Sequence, residues 1–300
     1  MNNIICIGNL SYNKNLFVNS YPIENHTTTI VKKYKSIGNN LNIPIILSKY
    51  NLNVYYFSNV GNDYEGKEII NYLKTNNINT YFINILKNTK TNKKYIIRNI
   101  KNNTKTILSE RINNKYNLSK SILFKPNIIY NDTYNIDLVK QIKNKYKDIN
   151  IITNLNEIST NALNVCSISD YIIIPIKYAQ ILTNVKLDTL SKRSIIDLYL
   201  KTKRLFSGKI IIYIENLGCI YEKDNIVNII PKLGDKNKMS NNSYDIFIST
   251  IIYGISRYFS LEKNLKIATI SKFLSDNNKQ NLNINEVIDI YEKNNWSFYY

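Results

Sequence analysis

Asp245 is the residue around which chemistry can be built. It lies in Met239-Ser-Asn-Asn-Ser-Tyr-Asp245-Ile-Phe-Ile-Ser-Thr-Ile-Ile-Tyr-Gly254, a short polar turn feeding an apolar helix. One carboxylate therefore falls in a first helical turn, where the positive end of the helix dipole favours it. Taken alone, that is a helix cap. Other chemistries are narrowed by scarcity. His26 is the only histidine, so no histidine-based triad and no multi-histidine metal site can be built. Its default is a surface position. Cys6, Cys166 and Cys219 are scattered and unpaired by spacing. They read as buried small apolar residues in a reducing compartment, with a metal or redox site as the alternative.

Two upstream stretches carry the other polar signals: Ile37-Gly38-Asn39-Asn40-Leu41-Asn42, and Val54 through Gly61-Asn62-Asp63-Tyr64-Glu65-Gly66. In isolation Gly38 is a turn glycine and Asn42 a helix cap. Glycine is depleted: the chain holds 8, where average usage would give roughly 20. Phosphate-binding turns use glycine for close backbone approach and positive φ. A phosphate-handling chain with so few has lost part of that machinery or replaced it.

The elements that must position these residues follow from pattern. Ile4–Ile7, Asn53–Ser58, Thr80–Asn84, Pro126–Tyr130, Asn150–Thr153, Tyr171–Ile174 and Lys209–Ile214 read as strands. Helices are expected at 42–50, 66–75, 136–146, 193–204, 245–258, 261–274 and 287–293. Buried strands alternating with helices imply a mostly parallel sheet covered on both faces. Two polar regions do not fit that layer. One is 11–36, with a short strand at Thr27–Val31. The other is 94–112, where Lys94–Arg98 and Lys105–Ser109 flank Asn102-Asn103 as a hairpin. Trp296, Tyr299 and Tyr300 read as packing or a frayed end.

With 44% hydrophobic residues the 300-residue chain can bury a full core. It has no run of about 18 apolar residues, so no membrane span is expected. No secretory or transit leader is visible, which predicts an intracellular location, cytoplasmic or organellar. Forty Lys and Arg against 22 Asp and Glu give +18. That imbalance favours phosphate-bearing partners such as ATP or nucleic acid. Strong AT bias in the coding DNA would produce it too, since Asn, Lys, Ile and Tyr are abundant throughout and Lys reads as spread rather than clustered.

Read together, in this order and at these distances, the three segments resemble the ribokinase/PfkB family of sugar and nucleoside kinases, from about Asn3 to about Lys279. That family places Gly-Gly-x-x-x-Asn early, then a strand ending in Gly-x-Asp-x-x-Gly, and a Gly-Ala-Gly-Asp turn late. The resemblance implies a ribokinase-like α/β three-layer sandwich with about eight central strands. A small β lid over the sugar site would come from parts of 11–36 and 94–112. One domain, 1–300, is expected, with a homodimer through the lid as an option.

The resemblance also distributes roles. Asp245 stands where the family keeps its catalytic base, which takes the proton of a sugar hydroxyl as that hydroxyl attacks the γ-phosphate. Asn13 falls at the family's sugar-hydroxyl Asp. Gly38 and Asn42 match the second Gly and the Asn of the sugar element, with Ile37 in place of its first Gly. Asn242, Ser243 and Tyr244 replace the Gly-Ala-Gly of the anion turn. The nucleotide-side Thr-x-Gly-x-x-Gly reads Tyr213-Ile214-Glu215-Asn216-Leu217-Gly218, keeping only Gly218 and adding a carboxylate. The Asn-x-x-Glu pair that works through water and Mg²⁺ falls on Ile176 and Ala179, or on Pro175 and Tyr178; neither supplies it. No metal ligand is assigned. Two readings stay open. One is a pseudokinase without cofactor, serving as a scaffold or regulatory subunit of a protein complex or nucleic-acid-associated assembly. The other is a live kinase using ATP and Mg²⁺ on a sugar or nucleoside.

Overall fold

A computed structural model of the chain describes residues 2–38, 41–110, 116–132, 135–187, 191–234, 240, 242–277, 279 and 282–293. Asn39, Asn40, Met239, Asn241, Trp296, Tyr299, Tyr300 and positions 111–112 of the expected lid lie outside them. In chain order the elements begin with β1 (Asn3–Ile7), β2 (Tyr12–Val18), β3 (Lys32–Ile37), α1 (Asn42–Lys49), β4 (Asn53–Gly61), α2 (Tyr64–Thr75), β5 (Ile83–Leu86), β6 (Lys93–Asn99) and β7 (Thr104–Glu110). Then come β8 (Ile128–Asn131), α3 (Ile136–Lys145), β9 (Asn150–Asn154), α4 (Thr160–Cys166), β10 (Tyr171–Pro175), α5 (Ile176–Thr183), α6 (Lys192–Lys203) and β11 (Lys209–Ile214). The last are β12 (Gly218–Lys223), β13 (Ile226–Pro231), α7 (Ser243–Ser256), α8 (Leu261–Asp276) and α9 (Ile284–Lys293).

The chain forms two compact units. The first comprises Met1–Ile7, Asn42–Val54 and Ile122–Tyr300, the second Gly8–Leu41 and Tyr55–Ser121. In the first unit β1, β8, β9, β10 and β11 pair in parallel in the order β1-β8-β9-β10-β11. β12 and β13 extend that sheet antiparallel at its edge. The isoleucine runs explain the arrangement. Ile128–Ile129, Ile151–Ile152, Ile172–Ile174 and Ile210–Ile212 are at most 1% exposed. Neighbouring residues of a strand point to opposite faces, so both faces are covered. Helices supply the cover, and the pairs α1–α7, α7–α8 and α5–α6 pack together. The β12–β13 turn, Asp224-Asn225, has both residues at positive φ (53° and 61°), the type I′ geometry that suits a two-residue hairpin.

In the second unit β4 pairs in parallel with β5. A separate four-stranded sheet runs β3-β2-β6-β7, antiparallel except for the parallel pair β2–β6. The hairpin expected from Lys94–Arg98 and Lys105–Ser109 is therefore present, as β6–β7. The strand expected at Thr27–Val31 is not: the strand paired with β2 is Lys32–Ile37, preceded by the Val31 amide donating to the Phe17 carbonyl at 2.8 Å, and β2 itself is a strand that the pattern did not reveal. The strand expected at Thr80–Asn84 starts later, at Ile83, because the Ile83 amide closes a turn onto the Thr80 carbonyl.

The basic charge is also not spread evenly. The second unit carries 16 Lys and Arg against 5 Asp and Glu, the first 24 against 17. The three cysteines are free and buried, and burial pushes the thiols of Cys166 and Cys219 up to about 12. His26 is exposed. No helix among the described residues is long and apolar enough to cross a membrane.

Candidate functional site

The centre of the first unit's site is the start of α7. This helix is almost wholly buried from Phe247 to Ser256, so its position is set by packing and not by its surface. α1 lies against it. Tyr50, just past the end of α1, meets Thr250 by hydroxyl at 3.4 Å and the Tyr253 ring at 5.7 Å. That clamp aligns the opening residues of both helices. Asn42, the first residue of α1, donates from Nδ2 to Asp245 Oδ2 at 2.8 Å and to Asn242 Oδ1 at 3.4 Å. Two residues 203 positions apart are thus in contact, as the resemblance required.

Asp245 is largely buried. Burial pushes its carboxyl above the usual range, and the Asn42 hydrogen bond works the other way. A base acts best when its proton affinity approaches the working pH, so this direction suits proton abstraction. Tyr130, at the end of β8, is buried between charges. Burial raises its hydroxyl first, and the carboxylates of Asp132 and Asp245 add to the rise. Asp132 is 7% exposed. It was not among the residues singled out from sequence. The signal was there: Asn131-Asp132 ends a buried parallel strand at its carboxyl edge, where ligands bind in open α/β sheets.

The anion turn is filled rather than open. Asn242 sits at the N-cap of α7 without a side-chain cap bond, and Ser243 is buried with its Oγ donating to the Ser240 carbonyl at 3.2 Å. Tyr244 crosses to the sheet. Its hydroxyl donates to Asn154 Oδ1 on β9 at 2.9 Å, and its ring lies 4.6 Å from that of Tyr213 on β11. Tyr213 in turn meets Phe247 at 5.2 Å. Three aromatic rings thus form one block above the ends of β9 and β11.

A second tie holds the turn from α8. The Ser240 amide donates to Asp276 Oδ1 at 2.9 Å, and Lys272 Nζ lies 2.6 Å from Asp276 Oδ2. Both side chains are at most 6% exposed. Burial opposes the charge on Asp276, yet Lys272, the Ser240 amide and the Ser243 hydroxyl outweigh it and hold its carboxyl low. Tyr213, Glu215, Gly218, Phe247, Lys272 and Phe273 are among the residues around a cavity of about 10 Å³. That is room for one water at most. Small-molecule sites run to about 300–1,000 Å³.

Gly218, expected at the nucleotide turn, has a structural duty. Its φ is +123°, and a Cβ there would stand 2.0 Å from the Ile230 carbonyl oxygen. Only glycine lets β12 lie so close to β13. Ile176 and Ala179, one of the two pairs expected at the Asn-x-x-Glu positions, belong to the apolar cluster under α5, and Tyr178 of the other pair packs against the same cluster. Among the described residues no three His, Cys, Asp or Glu side chains cluster to hold a metal ion.

The remaining expected residues belong to the second unit. Asn13 lies on β2, fully buried, and accepts from Ser11 Oγ at 3.0 Å. Gly38 follows β3 with φ +53°, and its amide donates to the Ser11 carbonyl at 2.8 Å. The two therefore share one corner of the small sheet. Asp63 is the N-cap of α2, bonded to the amides of Gly66 and Thr91; the Gly61–Gly66 motif is a structural turn.

The sequence model of the pfkB family carbohydrate kinases matches residues 1–269. None of the curated protein sequences matches the chain. Among solved structures, Arabidopsis thaliana ribokinase complexed with ribose and ATP aligns at TM-score 0.77 and 13% identity, covering 96% of this chain and 97% of its own. Thermotoga maritima ribokinase aligns at 0.75 and 14%, covering 98% and 100%. Methanocaldococcus jannaschii nucleoside kinase aligns at 0.71 and 18%, covering 98% and 99%. These likenesses establish a ribokinase-like α/β fold.

Proposed function

The chain belongs to the pfkB family of carbohydrate kinases, and on that basis we propose that it has kept the fold and the acceptor side of the site but transfers phosphoryl groups weakly or not at all. Its role is then that of a scaffold or regulatory subunit in a nucleic-acid-associated assembly. The observation that carries this reading is the aromatic block of Tyr244, Tyr213 and Phe247 where the family has a glycine turn. Phosphate oxygens reach backbone amides at such turns only when no side chain intervenes. Glu215 adds a like charge beside the expected phosphates. As arranged, these residues do not fit Mg·ATP.

One observation favours the alternative, a live ATP-dependent sugar or nucleoside kinase. Asp245 keeps the burial, the raised proton affinity and the Asn42 contact of a working base. On that reading Asn13, Gly38 and Asn42 hold the acceptor. The two readings separate in one experiment. A ligand at 100 times its dissociation constant adds about 2.7 kcal/mol to stability. Under the first reading millimolar Mg·ATP shifts the melting temperature only slightly, and transfer to ribose, fructose or adenosine is undetectable. A full shift together with turnover that Asp245→Asn abolishes would establish the second.

A further inference from the structure

The four-stranded sheet β3-β2-β6-β7 carries eight Lys and Arg against one acid, Glu110. Two like-charged pairs stand directly opposite each other: Lys14 faces Lys35 across β2–β3, and Arg98 faces Lys105 across β6–β7. Directly opposed like charges destabilise an antiparallel pair. Lysines on edge strands guard against sheet-to-sheet aggregation, which accounts for β3 and β7. It does not account for Lys14 and Arg98 on the interior strands. The second unit holds +11 of the net +18 on about a third of the residues, chiefly because it has few acids.

Aromatic rings lie among these cations. One cross-strand row reads Lys32, Phe17, Arg98, Lys105. The next row on that face begins with Tyr34, whose ring is 5.6 Å from that of Phe17 and which stays 43% exposed. Lys101 sits in the β6–β7 turn beside them, its amide held by Asn99 Oδ1. Lys32, Lys101 and Lys105 are exposed, and none forms an ion pair among the described residues; Lys35 lies on the opposite face, over the Tyr12 ring. Alternating cations and rings match the needs of an unpaired strand, with phosphates for the cations and open base faces for the rings. A duplex offers the rings nothing, and a second copy of this surface would repel the first.

We propose that this face of the sheet binds single-stranded nucleic acid, with phosphates on Lys32, Arg98, Lys101 and Lys105 and bases on Phe17 and Tyr34. The proposal names a surface for the nucleic-acid-associated role above, and it is independent of turnover at Asp245.

The test is fluorescence anisotropy of a labelled oligouridylate against the full chain at increasing KCl. Four phosphate contacts give a log–log salt slope of about −2.8, so affinity falls roughly fiftyfold between about 50 and 200 mM. The triple variant Lys32→Ala, Lys101→Ala, Lys105→Ala should shallow that slope by about 2. Its thermal midpoint should hold or rise, because the opposed charges are relieved. A lowered midpoint would make these lysines structural and overturn the proposal. So would equal loss in the control Lys140→Ala, Lys147→Ala, Lys186→Ala, or unchanged binding in the triple variant. Preference for a duplex or for phosphatidylserine vesicles, or a dimer that the triple variant abolishes, would also overturn it.

Discussion

Replacing Tyr244 by glycine should trade stability for nucleotide binding. The ring is half-buried and packs on Tyr213, and its hydroxyl bonds Asn154. Full removal of a buried aromatic ring costs about 3–5 kcal/mol, so half burial implies about 2. The lost hydrogen bond adds about 1, and glycine in a helical turn somewhat under 1. Tyr244→Gly should therefore lose about 3–4 kcal/mol by urea melt. Tyr244→Phe should lose only about 1, since it keeps the ring. The gain is read with Mg·ATP. At saturating ligand, about 2.7 kcal/mol over 300 residues raises the melting temperature by about 4 °C. That rise should appear in Tyr244→Gly and be absent from the wild type and from Tyr244→Phe. If the wild type shifts as much as the glycine variant, the ring does not obstruct the turn and the reasoning fails.

Asp245→Asn should stabilise the protein at neutral pH. A carboxyl raised by burial stays protonated more readily in the folded chain, so its contribution falls as pH rises from the unfolded Asp value, about 3.9, through the raised folded one. The difference between variant and wild type should vanish at acid pH; a constant difference in pH-dependent melts would count against burial as the cause. Lys272→Met leaves Asp276 buried without its cation and should cost about 3–5 kcal/mol by chemical denaturation, with Lys272→Met/Asp276→Asn recovering part of it. Asp276 runs the other way with pH. Its lowered carboxyl stabilises the fold above the unfolded Asp value and loses that contribution as pH falls through the folded one. An acid titration in which Asp276→Asn loses no more stability near neutrality than near pH 3 would contradict the tie.

The fold was legible where burial is two-sided. β8 to β11 are short isoleucine-rich runs because neither face of those strands meets water, and such runs need no partner to be recognised. β2 and β3 escaped recognition for the opposite reason: lysine, asparagine and tyrosine alternate there without a clean apolar face, and pairing alone makes them strands. The β12–β13 hairpin was also missed, although Asp224-Asn225 is a pair that tolerates positive φ.

At the site, the resemblance carried by Gly38, Asn42 and Asp245 anticipated the contact of Asn42 with the carboxylate, which the packing of the short α1 on the buried α7 brings about. The sequence, through that resemblance, puts Tyr244 and Glu215, with either Ile176 and Ala179 or Pro175 and Tyr178, where the family has glycine, amide and carboxylate. It could not show what Tyr244 does instead. Its partners Asn154 and Tyr213 lie 90 and 31 positions away on β9 and β11, and only the sheet, which sets those strands on either side of β10, turns one large residue into a block of three rings. The same holds for charge. Along the chain Lys14 and Lys35 are two ordinary lysines; strand register sets them face to face, and register is a property of the folded sheet.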